Sequence, residues 1–177
     1  MNIGSIKEET QKMSADFDNA INEIQASITE DARKLYSEKV IERWLCPTCM
    51  GELENPQGYG AVRGPCGDTI KIFLRIHDER ITDARFVTDG CATTLAAGSM
   101  ACELVIGKNI TDAFAVNKEV ILENLGGLPE ENTHCALLAS NTLKEALTNV
   151  TAQVQRSGVH ACPPRLYRDR LGSKLDR

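Results

Sequence analysis

The sequence predicts a helical domain with a small antiparallel β unit in its middle. Three observations carry this. Apolar residues recur every three or four positions near both ends of the chain, β-branched residues alternate between Thr69 and Thr88, and a Pro- and Gly-rich stretch from Cys46 to Gly67 separates the two patterns. The 177 residues and 19.4 kDa leave room for one compact domain and an appendage. Apolar residues at 42% and charged residues at 25% are ordinary for a globular chain, and with only 5% aromatics the core must be aliphatic. A formal charge of −5 argues against a nonspecific grip on nucleic acid or on an anionic membrane. The longest uncharged run with many apolar residues, Gly90 to Cys102, is 13 residues, short of the ~20 a membrane span needs. The first 30 residues lack both the basic start and apolar run of a secretory signal and the Arg-rich profile of a transit peptide, so the expected compartment is the cytoplasm.

Met13, Phe17, Ile21, Ile24 and Ile28 form the stripe of an amphipathic helix over roughly residues 5–27. Thr29, Glu30 and Asp31 read as a fresh helix start, with Leu35, Tyr36, Val40, Ile41 and Trp44 as the second apolar face up to Leu45. Thr69–Ile76 and Ile81–Thr88 make a hairpin around the polar His77–Arg80, and Tyr59–Arg63 is the candidate third strand. Cys91–Ile106 is expected to be helical, with Leu95, Gly98, Cys102 and Val105 on one side and Gly107 as its stop; a second helix is expected over 110–124. Gly126–Pro129 breaks the chain, and Cys135–Val150 reads as the last helix, with Ala139, Leu143, Ala146 and Val150 in register. This gives an N-terminal helical extension (1–28), a central domain (29–150) and a basic tail (151–177), the part from Gln155 being poorly ordered unless it docks.

Seven cysteines is an odd number, and in a reducing compartment cysteines point to metal, cluster or thiol chemistry rather than a disulfide frame. Cys66 lies in the turn Gly64-Pro65-Cys66-Gly67, while Cys91 and Cys135 stand at expected helix starts, where backbone N–H groups favour a thiolate. Together they suggest a shared metal site; the alternative is three small hydrophobes scattered in a core. Cys102 lies on an apolar stripe and reads as core. Cys46-Pro47-Thr48-Cys49 is half of a zinc-ribbon-like knuckle without a second CxxC, so it binds metal with another cysteine, forms a redox pair, or only turns the chain.

The runs GYGAVRGPCGD (Gly58–Asp68), ARFVTDGCATTLAAGS (Ala84–Ser99) and THCALLAS (Thr133–Ser140) resemble the iron–sulfur cluster assembly scaffold family of the IscU and NifU N-terminal type, as do YSEKV (Tyr36–Val40) and GELENPQG (Gly51–Gly58). The resemblance covers roughly residues 34–150. It implies an α+β fold, a small antiparallel three-stranded sheet packed by helices with the cysteines converging at one end, here with an extra N-terminal amphipathic helix. It casts Cys66, Cys91 and Cys135 as cluster ligands, Asp68 as the aspartate that follows the first of them, and His134 as the histidine before the third. Asp68 is then a release ligand or gate, against a plain turn-forming role; His134 is a ligand or proton donor, against a locally bonded helix-start residue.

The implied function is assembly of a transient [2Fe–2S] cluster from iron and sulfur supplied by a cysteine desulfurase, and its transfer to apo iron–sulfur proteins, with zinc as an occupant when no cluster is present. Such a scaffold is not an enzyme with turnover. Cys135 is the expected sulfur acceptor, because the resemblance points there and a helix start would lower its pKa. Two departures stand out. The family's LPPVK segment for an Hsp70-type chaperone is replaced by Leu128-Pro129-Glu130-Glu131-Asn132, without the Lys, and the CPTC knuckle takes the place of an Asn-Pro-x-Asn turn. Residues 1–28 are expected to pack on something, by self-association as a homodimer or on their own domain. The rival functions are a zinc-dependent sulfurtransferase, whose insertion has no room in the 44-residue step from Cys91 to Cys135, and a metal-binding adaptor built on Cys46 and Cys49.

Overall fold

The computed structural model describes residues 3–158; the greater part of the expected basic tail, residues 159–177, lies outside the described residues. The first helix, α1 (Ile3–Arg33), does not stop near residue 27. The Thr29 hydroxyl donates back to the Gln25 carbonyl at 2.7 Å, a bond within the helix, so it caps nothing and the helix runs through the expected boundary. The cap falls at Ser37, whose Oγ accepts from the Val40 N–H at 3.3 Å and starts α2 (Glu38–Leu45). The same hydroxyl donates to the Leu125 carbonyl, which pins the start of α2 to the body of the protein.

Three strands follow: β1 (Gly58–Arg63), β2 (Thr69–His77) and β3 (Arg80–Thr88), antiparallel in the order β1-β2-β3. The β2–β3 turn places Asp78 and Glu79 at φ 51° and 61°, the left-handed pair of a tight hairpin. Ile70, Ile72, Leu74, Ala84 and Phe86 point to one face, which α3 (Ala92–Val105) and α6 (Thr133–Gly158) cover. Helix α3 is not one-sided as expected. Ten of its 14 residues are buried, because α2, α6, the helix over Lys118–Leu125 and the sheet surround it. Gly98 admits the Phe86 ring: a Cβ there would lie 2.6 Å from it. Gly60 likewise lets α6 close on β1, since a Cβ would meet the Thr142 carbonyl at 2.5 Å.

The helix expected over 110–124 is two, α4 (Ile110–Ala113) and α5 (Lys118–Leu125). Asn109 and Asn117 each cap one of them, accepting from Asp112 N–H at 2.7 Å and Val120 N–H at 2.9 Å, and these local bonds outcompete a continuous helix. A 3-10 turn over Glu130–Asn132 leads into α6, which continues past Val150 with Ala139, Leu143, Ala146 and Val150 all buried. No helix among the described residues is long and apolar enough to cross a membrane.

Candidate functional site

The β1–β2 turn, the start of α3 and the start of α6 meet at one end of the molecule. In the turn, Gly64 N–H donates to the Asp68 carbonyl at 2.8 Å, and Gly67, at φ +95°, donates back to Gly64 at 3.0 Å. Arg63 Nε clasps the Gly67 carbonyl at 3.1 Å. This leaves the Cys66 side chain exposed at the tip and turns Asp68 toward α3. Cys91 is the residue before α3, exposed, with its N–H 3.4 Å from Asp68 Oδ2. Cys135 is fully buried in the first turn of α6.

Two threonines that the sequence reading passed over join these groups. The Thr94 hydroxyl donates to Asp68 Oδ2 at 2.8 Å and lies 3.5 Å from the Cys91 sulfur and 3.3 Å from that of Cys135. Its single proton serves one of these three acceptors at a time. Thr93 Oγ1 stands 3.0 Å from Cys91 Sγ and 3.4 Å from Cys135 Sγ, and Asn132 Nδ2 donates to it at 3.4 Å. Asn132 also accepts from the Tyr36 hydroxyl at 3.4 Å. The residue that stands where the chaperone segment is expected thus ties the corner to the link between α1 and α2. Hydroxyls directly after a helix-start cysteine (Cys91-Ala92-Thr93-Thr94) were the available signal, because buried Thr at both N2 and N3 must find partners.

The thiols differ electrostatically. Burial pushes the Cys91 thiol up, but the Thr93 and Thr94 hydroxyls and their backbone N–H groups outweigh it and hold Cys91 below the ordinary thiol range. Cys135 goes the other way: burial raises it, the threonines offset this only in part, and the neighbouring Cys91 raises it further. The expectation that a helix start would lower Cys135 is therefore corrected; desolvation overrides the helix end, and of the two thiols it is Cys91 that is held low. His134 is bonded locally at its helix start, the plainer of its two readings. Its Nδ1–H donates to the Glu131 carbonyl at 2.6 Å, which leaves the lone pair of Nε2 toward Cys135 Sγ at 3.6 Å.

The CPTC segment lies elsewhere. Thr48 bonds to Ser99 Oγ at 2.7 Å and to Glu103, and Glu103 takes two bonds from Arg43, Nε at 3.0 Å and Nη2 at 2.6 Å. Cys49 is half-buried in the left-handed region at φ 60°, and its carbonyl accepts from Phe86 N–H at 2.9 Å. Burial first, then Glu103, pushes its thiol up; burial raises the fully enclosed Cys102 much further. No group of three or more His, Cys, Asp or Glu side chains is placed to hold a metal among the described residues, at either end. The segment turns the chain and docks α2 on α3.

An α+β domain with two helix-start cysteines and a carboxylate laced together by threonines, beside a third cysteine on a glycine turn, is the class that fold and site define. The sequence matches the family described as the NifU-like N terminal domain over residues 35–157, and the chain belongs to that family. An Archaeoglobus fulgidus protein named iron-sulfur cluster assembly scaffold protein IscU 1 is 39% identical over 116 residues, spanning 65% of this chain and 76% of its own. The Escherichia coli (strain K12) protein named iron-sulfur cluster assembly scaffold protein IscU is 39% identical over 119 residues, spanning 64% of this chain and 92% of its own. The crystal structure of a nitrogen-fixing NifU-like protein (N-terminal) from Brucella abortus shares the fold, with a TM-score of 0.55 at 20% identity over 67% of this chain and 96% of that one.

Proposed function

We propose that this chain is a scaffold on which a [2Fe–2S] cluster is built and from which it is passed to apo-proteins. The observation that carries the reading is the network joining Asp68, Cys91 and Cys135 through Thr93 and Thr94, with Cys66 on the adjoining turn. Three soft thiolates suit iron and sulfide, and a hard oxygen or nitrogen ligand as the fourth keeps the cluster exchangeable. Cys66, Cys91 and Cys135 are the ligands, with Asp68 or His134 completing the set, and they close on the cluster from the metal-free arrangement, in which they are not gathered for a metal. In the metal-free chain the threonine hydroxyls partner the thiols that iron takes over.

Loading then follows an order set by exposure. Cys66 and Cys91 are open to solvent, whereas Cys135 becomes reachable only when the corner formed by Asn132 and α6 moves away from Thr93. Once open, the Cys135 thiol gives its proton to His134 Nε2. Its thiolate attacks the outer sulfur of a desulfurase persulfide, so that one S–S bond forms as another breaks and the desulfurase leaves as a thiolate. The partners are therefore a cysteine desulfurase and apo iron–sulfur recipients. The missing Lys after Leu128-Pro129, and the use of Asn132 to hold the corner, speak against the Hsp70-type chaperone partnership.

Anaerobic reconstitution of the full chain with ferrous iron, cysteine, a desulfurase and a thiol reductant that brings the sulfane sulfur to sulfide tests the reading. Equal iron and sulfide with a brown [2Fe–2S] spectrum, followed by transfer to an apo-ferredoxin, is the expected result. Colourless protein retaining zinc sinks it. Mass spectrometry after desulfurase treatment without iron places the sulfane sulfur: on the Cys135 peptide as expected, or on the Cys91 peptide if exposure rather than proton transfer selects the acceptor.

A further inference from the structure

Beyond its last turns α1 touches little of the body; Ala32 is the one buried side chain among those described in the helix. Where α1 passes α2, Ile21, Ile24 and Ile28 face Trp44 and Leu45 across an apolar groove of about 330 Å³. The three isoleucines and Leu45 are each between 42% and 61% exposed, an apolar patch too continuous to stand in water without an occupant. Asp16, Glu23 and Glu30 recur at seven-residue intervals and so run as an acidic row beside the stripe.

We propose that the groove is the docking site of the chain's own C-terminal segment, residues 159–177. That segment carries five basic and two acidic residues, net +3, against seven acidic and three basic residues in α1, net −4. Tyr167, Leu171 and Leu175 recur every four residues among Arg165, Arg168, Arg170 and Lys174, an apolar series edged with the charge that the acidic row lacks. Reach is no obstacle. The 19 residues after Gly158 span up to about 60 Å extended, more than the ~30 Å diameter of a small domain. A second copy of α1 is the competing occupant, and it would bring −4 against −4 across the same groove. Docking in cis also needs no protein concentration, because the tether supplies it. The contact lies on α2 and does not depend on what is assembled at the start of α3.

Trp44 is the only tryptophan of the chain and lines the groove, so its emission reports the occupant. In the metal-free full chain, Leu171→Asp with Leu175→Asp is expected to shift Trp44 emission to the red and to raise its quenching by acrylamide, at unchanged sedimentation mass and independently of protein concentration. Arg170→Glu with Lys174→Glu should do the same to a smaller extent and remove the salt dependence of the quenching. The substituted residues lie outside the family match over residues 35–157, and the circular dichroism of the body serves as the control for folding. Trp44 quenching equal in the parent chain and in both variants overturns the proposal. So does a parent chain that sediments as a dimer and falls to monomers on dilution, since the groove then belongs to a second copy.

Discussion

Two groups of cysteines sit at opposite ends of α3, and their difference is set by what the helix offers at each end. Cys91 and Cys135 meet free N–H groups, two hydroxyls and a carboxylate at its start. Cys49 and Cys102 meet apolar side chains and the carboxylate of Glu103 near its finish, about 16 Å further along the axis. Donors lower a thiol and anions and burial raise it, so Cys91 is held low at one end while Cys49 and Cys102 are pushed up at the other. Cys135 shows that position on a helix is not sufficient: it shares the donors of Cys91 but is buried, and burial prevails.

The largest test of the contrast is by deletion. Cys66→Ala, Cys91→Ala and Cys135→Ala are each expected to abolish cluster formation on reconstitution, while Cys102→Ala keeps it and costs about 0.5–1.5 kcal/mol of stability, the range for losing one buried methylene. A Cys102→Ala loss of cluster as deep as that of Cys66→Ala would merge the two groups. Next in size is thiol selectivity in the metal-free chain. Alkylation near neutral pH should mark Cys91 well before Cys49 and leave Cys102 untouched; Thr94→Val should slow Cys91, because it removes a donor to the thiolate. Peptide mapping after timed quenching reads both.

How much of this was legible beforehand follows the same division. The strands, the sheet face, the Cys102 assignment and the three cysteine motifs follow from local pattern, because β-branched alternation and turn glycines act over a few residues. Helix ends were misplaced wherever a side-chain bond decided between two candidates: Thr29 bonds within its helix, Ser37 caps, and Asn117 splits α4 from α5. The direction of the Cys135 shift was not legible either. It depends on α6 being covered from the sheet side and by α3, a long-range fact. Thr93 and Thr94 were visible as residues, but their partners come from turns 26 and 41 positions away.

A smaller effect is expected at Asp68, with a sign that separates its two roles. If its hard carboxylate loosens the hold of three thiolates, Asp68→Ala holds the cluster longer against a chelator and delivers it more slowly to an apo-ferredoxin. As a turn residue alone, its replacement would cost about 0.5–2 kcal/mol of fold stability and leave cluster lifetime no longer than before. Thr94 Oγ1 loses its acceptor in either case, so the comparison with Thr94→Val separates the carboxylate from the network it anchors.

The smallest effect belongs to the other end of α3, where acid should loosen packing. Burial pushes the Glu103 carboxyl up, but bonds from Arg43, Thr48 and Ser99 outweigh it and hold it below the ordinary carboxylate range. A depressed folded value means that the carboxylate contributes stability above its unfolded value, about 4.3, and that the contribution is lost as pH falls through the folded value. Glu103→Gln keeps the shape, cannot be titrated, and should flatten the fall of thermal midpoint between pH 5 and pH 3, values on the order of the unfolded carboxylate range. Some slope remains, because Asp89, held low by the Thr69 backbone N–H, titrates in the same direction at the assembly end. A variant that keeps the whole acid slope would show that the Arg43–Glu103 contact, although bidentate and largely shielded, adds nothing to the docking of α2 on α3.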